Sequence, residues 1–236
     1  MIKENIMKHT KKTLMIVLFV VVVVGLITVL GKKAHKNKDP YESLFKIIPE
    51  RKIDVASMMD QTTKHRYYVY IYNPQQKGSQ ALEKTVNDAV QYNSSLYFLN
   101  VNENLNAIKK FDWQTFNTQN DREIGKVVNG KIIYNKGESA DRYIKTTKKD
   151  PYGDRIVYTI QKYTKDYATY NIKARPGKVY ARITRPWINY RQYQKGKLTL
   201  GGGPTLLEIN KKKIVHFAYD TKEITAVMKQ WEKENS

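Results

Sequence analysis

The chain has 236 residues, no cysteine and a formal net charge of +20, from 42 Lys and Arg against 22 Asp and Glu. A hydrophobic fraction of 41% with 11% aromatic residues is too apolar for a disordered chain and too polar for a protein with many membrane spans. The absence of cysteine excludes disulfides, thiol catalysis, iron–sulfur clusters and Cys-ligated zinc.

The charge is distributed unevenly along the chain. Residues 1–38 carry 8 basic residues and 1 acidic residue, and residues 112–197 carry 19 and 8, for net charges of +7 and +11. Residues 39–111 (9 and 8) and 198–236 (6 and 5) are each +1. A nearly neutral domain is therefore preceded by a basic tether and interrupted by a strongly basic segment.

Thr13 to Gly31 is a run of 19 residues without a charge. As a helix it would be about 28 Å long, close to the thickness of the membrane's hydrocarbon core. A cleaved signal peptide is the alternative, but the run is long for one and Val29-Leu30-Gly31 is a poor cleavage site. Basic residues flank the run on both sides and nearly balance the positive-inside rule, so its N-terminal position decides the orientation. We predict a single-pass protein of the cell membrane with a cytoplasmic tail (1–12), a transmembrane helix (13–31), a tether (32–52) and an extracytoplasmic C-terminal domain.

The domain has the pattern of an α/β fold. Tyr67–Tyr72 is a continuous β-branched and aromatic run, typical of a strand buried on both faces, and Leu96–Val101 reads as a second buried strand. Ala81–Val90 lies between them and has the spacing of an amphipathic helix. A strand, a helix and a strand in this order predict a βαβ unit with parallel strands. The pattern resumes near the end of the chain, with two strands (Thr205–Ile209 and Ile214–Tyr219) and a closing helix (Thr221–Glu232).

The remaining segments give shorter signals. Lys52–Val55 is a candidate edge strand, and Asn104–Phe111 is a candidate short helix. Residues 112–197 read mainly as strands, including Arg155–Ile160 and Val179–Thr184. Asn129-Gly130 between β-branched runs predicts a hairpin within this segment.

This order of elements resembles the thioredoxin fold. The match is to membrane-tethered bacterial members, in which a Tyr-rich strand runs into a proline, here Asn73-Pro74, and Gly203-Pro204-Thr205 opens a later strand. The resemblance covers residues 53–111 and 198–236, with 112–197 as a β-rich basic insertion before that later strand. It implies a cis peptide bond before Pro204.

On the family's pattern, Gln76 and Ser79 take the positions of the two cysteines, and Tyr70 takes that of the buried acid. Disulfide exchange needs a thiolate, so the chain is not an oxidoreductase, and we predict no enzymatic activity and no cofactor. The resemblance implies that the groove for an extended polypeptide remains, with Gly203 pairing to its backbone. Alternatively, Pro204 only completes the fold, Ser79 caps a helix and Lys77 is merely solvated. The predicted groove residues are Gln76, Lys77, Gly78, Ser79, Gly203 and Pro204.

Residues 162–197 combine ten basic residues and one acid with seven Tyr or Trp. Cations between aromatic rings suit single-stranded nucleic acid, and teichoic acid, anionic lipid or an acidic protein suits them equally well. Tyr is also common in half-exposed strands, which needs no ligand at all. The four His share no metal-ligand spacing, so we predict no metal site. The predicted surface residues are Lys173, Arg175, Arg182, Arg185, Trp187, Tyr190 and Arg191.

The resemblance implies a non-catalytic binding or scaffold subunit of a Gram-positive cell-envelope machine. The Lys-rich, Asn-rich composition is typical of low-GC Gram-positive bacteria, and tethered thioredoxin-like subunits occur in their conjugative type IV secretion systems. The expected partners are envelope proteins of the same machine, with an anionic polymer or nucleic acid on the insertion. The alternatives are an extracytoplasmic polypeptide-holding factor and an envelope protein that docks on anionic wall polymer or lipid.

Overall fold

The structure, a computed structural model, describes residues 39–61 and 65–235. Its helices α1 to α7 are Glu42–Phe45, Lys77–Ala81, Glu83–Tyr92, Trp113–Asn120, Ala140–Ile144, Lys165–Tyr170 and Asp220–Asn235. Its strands β1 to β10 are Arg66–Tyr72, Leu96–Asn100, Ile108–Lys110, Arg122–Val128, Lys131–Tyr134, Tyr158–Lys162, Lys178–Ile183, Leu198–Leu200, Thr205–Asn210 and Lys213–Tyr219. The described residues are therefore mixed α/β, as predicted.

Four strands form the main sheet in the order β10-β9-β1-β2. β1 is parallel to β2, with Tyr68 opposite Leu96, and antiparallel to β9, which is in turn antiparallel to β10. Alternate residues of β1 enter two different cores, Val69 on one face and Tyr70 on the other. Because both faces are covered, β1 reads as a continuous apolar run, and the predicted parallel βαβ unit is confirmed.

Helices α3 and α7 cover one face of this sheet. The buried side chains of α3 follow the helical repeat, and those of α7 do the same. They share one apolar cluster with the β1 and β2 rings. The cluster contributions of the two helices are Val86, Ala89, Ile224, Met228 and Trp231.

Three predicted elements outside the basic insertion differ from the structure in type or continuity. The predicted helix over Ala81–Val90 is broken at Leu82, where α2 ends and α3 begins. The predicted strand at Lys52–Val55 is wrong, except that Lys52 forms a single parallel bridge with Phe98 of β2. The predicted helix at Asn104–Phe111 is wrong, because a 3₁₀ turn leads there into β3, which pairs in parallel with β8.

The basic insertion has its own four-stranded antiparallel sheet, in the order β5-β4-β7-β6. The predicted hairpin is confirmed: Asn129 and Gly130 have φ angles of 49° and 76°, as a type I′ turn between β4 and β5 requires. A strand predicted to begin at Arg155 begins at Tyr158 instead. Helices α4, α5 and α6 were not predicted, because each is short and its apolar positions are few.

The start of the described chain is fixed to the carboxyl ends of β1 and β2. The Tyr72 hydroxyl donates to Asp39 Oδ2 at 2.7 Å, and Asn100 Nδ2 donates to the same oxygen at 3.0 Å. Tyr41 is fully buried, with its ring centroid 4.9 Å from that of Tyr72. Residues 39–41, which are predicted to be part of the tether (32–52), therefore belong to the main domain, with Tyr41 in its core.

None of the helices in the described ranges is long and apolar enough to cross a membrane. The predicted transmembrane helix at 13–31 and the tail before it lie outside the described residues. The cis bond expected before Pro204 is wrong, because the described residues contain no cis peptide bond.

Candidate functional site

A cavity of about 350 Å³ opens beside the carboxyl ends of β1 and β2. Asn73 follows β1 and Val101 follows β2, so the parallel pairing brings both residues to one edge of the main sheet. Ligands commonly bind at this edge of a parallel sheet. The other lining residues are Gln76, Leu105, Ile108, Lys110, Phe111, Trp113, Leu200, Gly201, Gly202 and Gly203.

The two predicted halves of the groove lie together in this region. Gln76 is the residue before α2, and its Nε2 donates to the carbonyl oxygen of Gly202. A Cβ on Gly78 would lie 3.1 Å from Cδ of Pro204, so α2 packs directly on that proline. The structure thus brings Gln76 and Gly78 next to Gly202 and Pro204, although they are more than a hundred residues apart in the chain.

The segment Gly201–Gly203 needs glycine for two different reasons. A Cβ at Gly201 would lie 2.6 Å from Cγ of Pro186, and one at Gly203 would lie 3.0 Å from the Tyr219 ring, so close packing excludes side chains there. Gly202 has a φ of +88°, a conformation that other residues rarely adopt. The triple glycine is therefore a packed turn at the wall of the cavity.

Side chains from distant elements hold this turn by its carbonyl groups. Trp113 Nε1 donates to the Gly201 oxygen at 2.6 Å, and the Tyr219 hydroxyl donates to the same oxygen at 3.0 Å. The Gly203 oxygen accepts from the Thr205 hydroxyl at 3.3 Å. Burial raises the pKa of Tyr219 to about 12, further above neutral pH than the ordinary value of about 10, at which the phenol is already protonated and able to donate.

Ser79 and Tyr70, at the positions that the resemblance assigns to the second cysteine and the buried acid, are buried and uncharged. Ser79 is fully buried, and its Oγ accepts from the Asn73 backbone N–H at 3.1 Å. Burial raises the pKa of Tyr70 to about 12, and the neighbouring Tyr41 and Ser79 hydroxyls offset part of that rise. Lys77 is exposed at the start of α2. Ser79 therefore positions the backbone at Asn73, and neither Ser79 nor Tyr70 offers an ionised nucleophile at neutral pH.

The aromatic wall of the cavity was not predicted. Asp112 caps α4, with its Oδ1 accepting from the Thr115 N–H at 3.0 Å, and this fixes Trp113 as the first helical residue. The rings of Phe111 and Trp113 pack edge to face, with centroids 5.0 Å apart. The sequence signal was the Phe-Asp-Trp triplet, an N-cap residue between two aromatic residues.

The predicted basic and aromatic surface is only partly a surface. Arg185 is 8% exposed. Its Nη2 donates to the Phe217 carbonyl at 2.8 Å, and the same nitrogen lies 3.6 Å from Glu223 Oε2. Tyr190 is 4% exposed, and its hydroxyl donates to the Thr199 carbonyl at 2.9 Å. The assignment of Arg185 and Tyr190 to an exposed surface is therefore wrong, since both join the insertion to the main domain.

Other members of the predicted surface have partners within the protein. The guanidinium of Arg182 lies 5.5 Å and 5.0 Å from the ring centroids of Tyr167 and Tyr170. Arg191 makes an ion pair with Asp154 at 3.1 Å. Arg182 and Arg191 are therefore engaged within the protein, although both are predicted from the sequence to lie on a ligand-binding surface.

Lys173 and Arg175 remain exposed on the loop before β7, whereas Trp187 is half-buried with its ring 5.1 Å from that of Phe116. Two further lysines of the segment are paired, Lys178 with Glu123 and Lys195 with Asp60. The cationic surface open to an anionic ligand is therefore smaller than the sequence suggests. Among the described residues, no group of three His, Cys, Asp or Glu side chains is placed to hold a metal ion.

No family model matches the chain, and neither a curated protein nor a solved structure matches it.

Proposed function

We propose that the chain is a non-catalytic binding domain with a thioredoxin-like framework. The strand order supports this: a parallel β1–β2 pair linked through helices, then an antiparallel β9–β10 hairpin beside β1 and a closing helix. The observation that carries the proposal is the contact of Gln76 with Gly202, reinforced by Gly78 on Pro204. It joins the two segments that flank the reactive site in that family.

The site is suited to binding rather than to redox chemistry. Gln76 and Ser79 replace the two sulfur atoms that disulfide exchange requires. What remains is a cavity with an apolar and aromatic wall, a rigid glycine turn and polar groups at its rim, which suits a segment of another polypeptide. The chain departs from the family in its trans Pro204 and in Gly203, whose carbonyl already accepts from Thr205.

The setting that we propose is the outer face of a Gram-positive cell membrane, where the domain would bind envelope proteins of a machine such as a conjugative secretion system. The uncharged run at 13–31 and the family resemblance support this setting. A polypeptide-holding role uses the same cavity and is the second candidate.

The framework is tested by restoring the lost chemistry. The double variant Gln76→Cys/Ser79→Cys should form a disulfide on mild oxidation and reduce insulin above the wild-type background, because the two positions have the Cys-x-x-Cys spacing at the start of α2. The matched control is Gln76→Cys/Gln80→Cys, which shifts the second thiol by one residue. Equal behaviour of the two double variants in alkylation and insulin assays would refute the framework.

The binding function is tested with an unfolded probe, labelled and carboxymethylated insulin B chain. Full-length protein should bind it saturably in fluorescence anisotropy. Gln76→Ala should weaken that binding, because Gln76 lines the cavity and holds the Gly202 turn. Gln75→Ala, at an exposed neighbour that does not line the cavity, is the control. Absence of binding, or equal effects of the two variants, would contradict the proposed site.

A further inference from the structure

The small sheet beside the cavity has an open edge. β3 and β8 form a two-stranded parallel sheet, and no other strand of the described residues pairs with β3. The Phe111 N–H donates to the Leu200 carbonyl at 2.9 Å, so this backbone group faces β8. Since successive residues of a strand direct their N–H and C=O groups to opposite edges, those of Lys110 and Ile108 face away from β8.

This edge adjoins the cavity. Ile108 and Lys110 lie on one face of β3 and both line the cavity, together with Phe111 and Trp113 just beyond the strand. A strand added along β3 would place alternate side chains on that same face. An apolar side chain of the added strand would then enter the cavity of about 350 Å³ against the two aromatic rings.

The rim of this site is basic. Lys109 and Lys110 are exposed on opposite faces of β3, so they flank both faces of a strand added to its edge. Lys77 is exposed next to Gln76, which lines the cavity, and none of the three lysines takes part in an ion pair among the described residues. The nearest acid along the chain is Asp112, whose Oδ1 accepts from the Thr115 N–H at the start of α4. The three lysines and this carboxylate together carry a net charge of +2. The rim therefore complements negative charge.

The charge also selects among occupants. Residues 1–38 of this chain carry a net charge of +7, and the whole chain carries +20, so its own N-terminal segment and a second copy are both repelled. An acidic partner is attracted to the same rim.

We propose that an acidic, extended segment of a partner protein adds to the open edge of β3 as a third strand and inserts one apolar side chain into the cavity. The proposal rests on the proposed function, a polypeptide-binding domain, and specifies its binding mode and the charge of its ligand. Backbone pairing supplies affinity, while the pocket and the lysines supply specificity.

The test uses a blocked, labelled peptide in which Glu alternates with Val around one central Phe. Wild-type full-length protein should bind it saturably in anisotropy. Lys110→Pro should weaken binding at least about tenfold, because proline removes the outward N–H and its ring obstructs the edge, while the bonds of β3 to β8 use other residues. Lys110→Gln keeps that N–H and should weaken binding by no more than about fivefold.

Two control peptides are tested for binding to the wild-type protein, so the proposal can be refuted even if Lys110→Pro does not fold. A peptide N-methylated on all of its backbone amides should not bind, because neither of its edges can donate hydrogen bonds to a strand. A peptide with Lys in place of Glu should not bind, because the rim repels it. Undiminished binding of the N-methylated peptide, of the Lys peptide or to a folded Lys110→Pro variant would overturn the proposal, as would absence of binding to the Glu peptide.

The unfolded insulin B chain separates this failure from failure of the proposed function. If the B chain binds in a Gln76-dependent manner while the Glu peptide does not bind, the β3 edge is not the site and the proposed function stands. If neither probe binds, both proposals fail.

Discussion

Arg185→Ala should destabilise the protein, because Arg185 joins the insertion to the main domain. Its Nη2 donates to the Phe217 carbonyl at 2.8 Å, and its guanidinium lies 4.2 Å from the centroid of the Phe217 ring. It also lies 3.6 Å from Glu223, whose carboxylate accepts from the Tyr219 N–H at 2.9 Å. Removal of the arginine would leave this carboxylate partly buried without its cation.

The expected loss is about 3 kcal/mol in the free energy of unfolding. A hydrogen bond from a charged donor contributes about 1.5–3 kcal/mol, and a desolvated cation over an aromatic ring contributes about 2 kcal/mol. These contributions do not add fully. Arg185 Nε is buried without a hydrogen-bond partner among the described residues, so truncation of the side chain also removes an unfavourable burial free energy and offsets part of the loss. The side chain of Glu223 is 31% exposed, which also places the loss at the low end of about 3–5 kcal/mol for breaking a buried pair.

The assay is equilibrium urea denaturation followed by tryptophan fluorescence, with Arg175→Ala as the matched control. Arg175 is exposed on the same segment, so its truncation should change the free energy by less than about 0.5 kcal/mol. Burial raises the pKa of Glu223 and Arg185 lowers it, so in Arg185→Ala the pKa rises further. The variant's deficit should therefore shrink as the pH falls and the carboxylate is protonated. A deficit below about 1 kcal/mol at neutral pH, or one that grows in acid, would refute this role of Arg185.

Three further outcomes are expected. Burial raises the pKa of Asp121 to about 6, above its value in the unfolded chain. The wild type should therefore gain stability relative to Asp121→Asn as the pH falls from about 7 to 4. Urea midpoints of the two proteins that change equally with pH would contradict this. Gly202→Ala should lower the free energy of unfolding by about 1 kcal/mol, because the residue has a positive φ. Gly201→Ala should lower it more, because its Cβ would lie 2.6 Å from a proline ring carbon. Equal effects of the two variants in thermal denaturation would contradict this packing. Tyr72→Phe removes the hydroxyl bound to Asp39 and should cost about 1–2 kcal/mol and speed proteolysis near the start of the domain, whereas an unchanged digestion rate would contradict that anchor.

The elements that the sequence predicts best are those whose pattern is set locally. β1 and β2 are buried on both faces over most of their length, so Tyr67–Tyr72 and Leu96–Leu99 carry a nearly continuous apolar and aromatic signal. The turn at Asn129-Gly130 is likewise fixed by two residues that tolerate positive φ. In both cases the local preference and the tertiary environment agree.

The error at residues 104–111 has a non-local cause. Leu105, Ile108 and Phe111 are spaced three residues apart, which fits a helix as well as a short strand. β8, the strand that selects the extended form of residues 108–110, lies ninety residues further along the chain at Leu198–Leu200. A three-residue strand carries too little signal of its own for this pairing to be predicted.

The composition of the basic segment did not predict which of its cations are exposed, for a similar reason. Its composition shows how many cations it has, but the positions of their partners are decided by the fold. Arg185 finds its acid on α7, Arg191 finds Asp154 within the insertion, and Lys195 finds Asp60 in the segment before β1. Tyrosines interleaved with these cations pack as core and anchor residues, as Tyr190 does.

Internal pairing of these cations leaves the net charge at +20, because the acids that pair with them are already counted in the sum. At distances well beyond the Debye length, about 10 Å at 0.1 M salt, the field is screened for all charges alike, and within it only nearby unpaired charges act strongly on a bound ligand. In the complex proposed above, the overall charge would affect how often an acidic partner encounters the protein, whereas the lysines beside β3 would affect how long it stays. It follows that the basic composition of the insertion and the specificity of the cavity are separate properties of the molecule, and that the first is no guide to the position of the second.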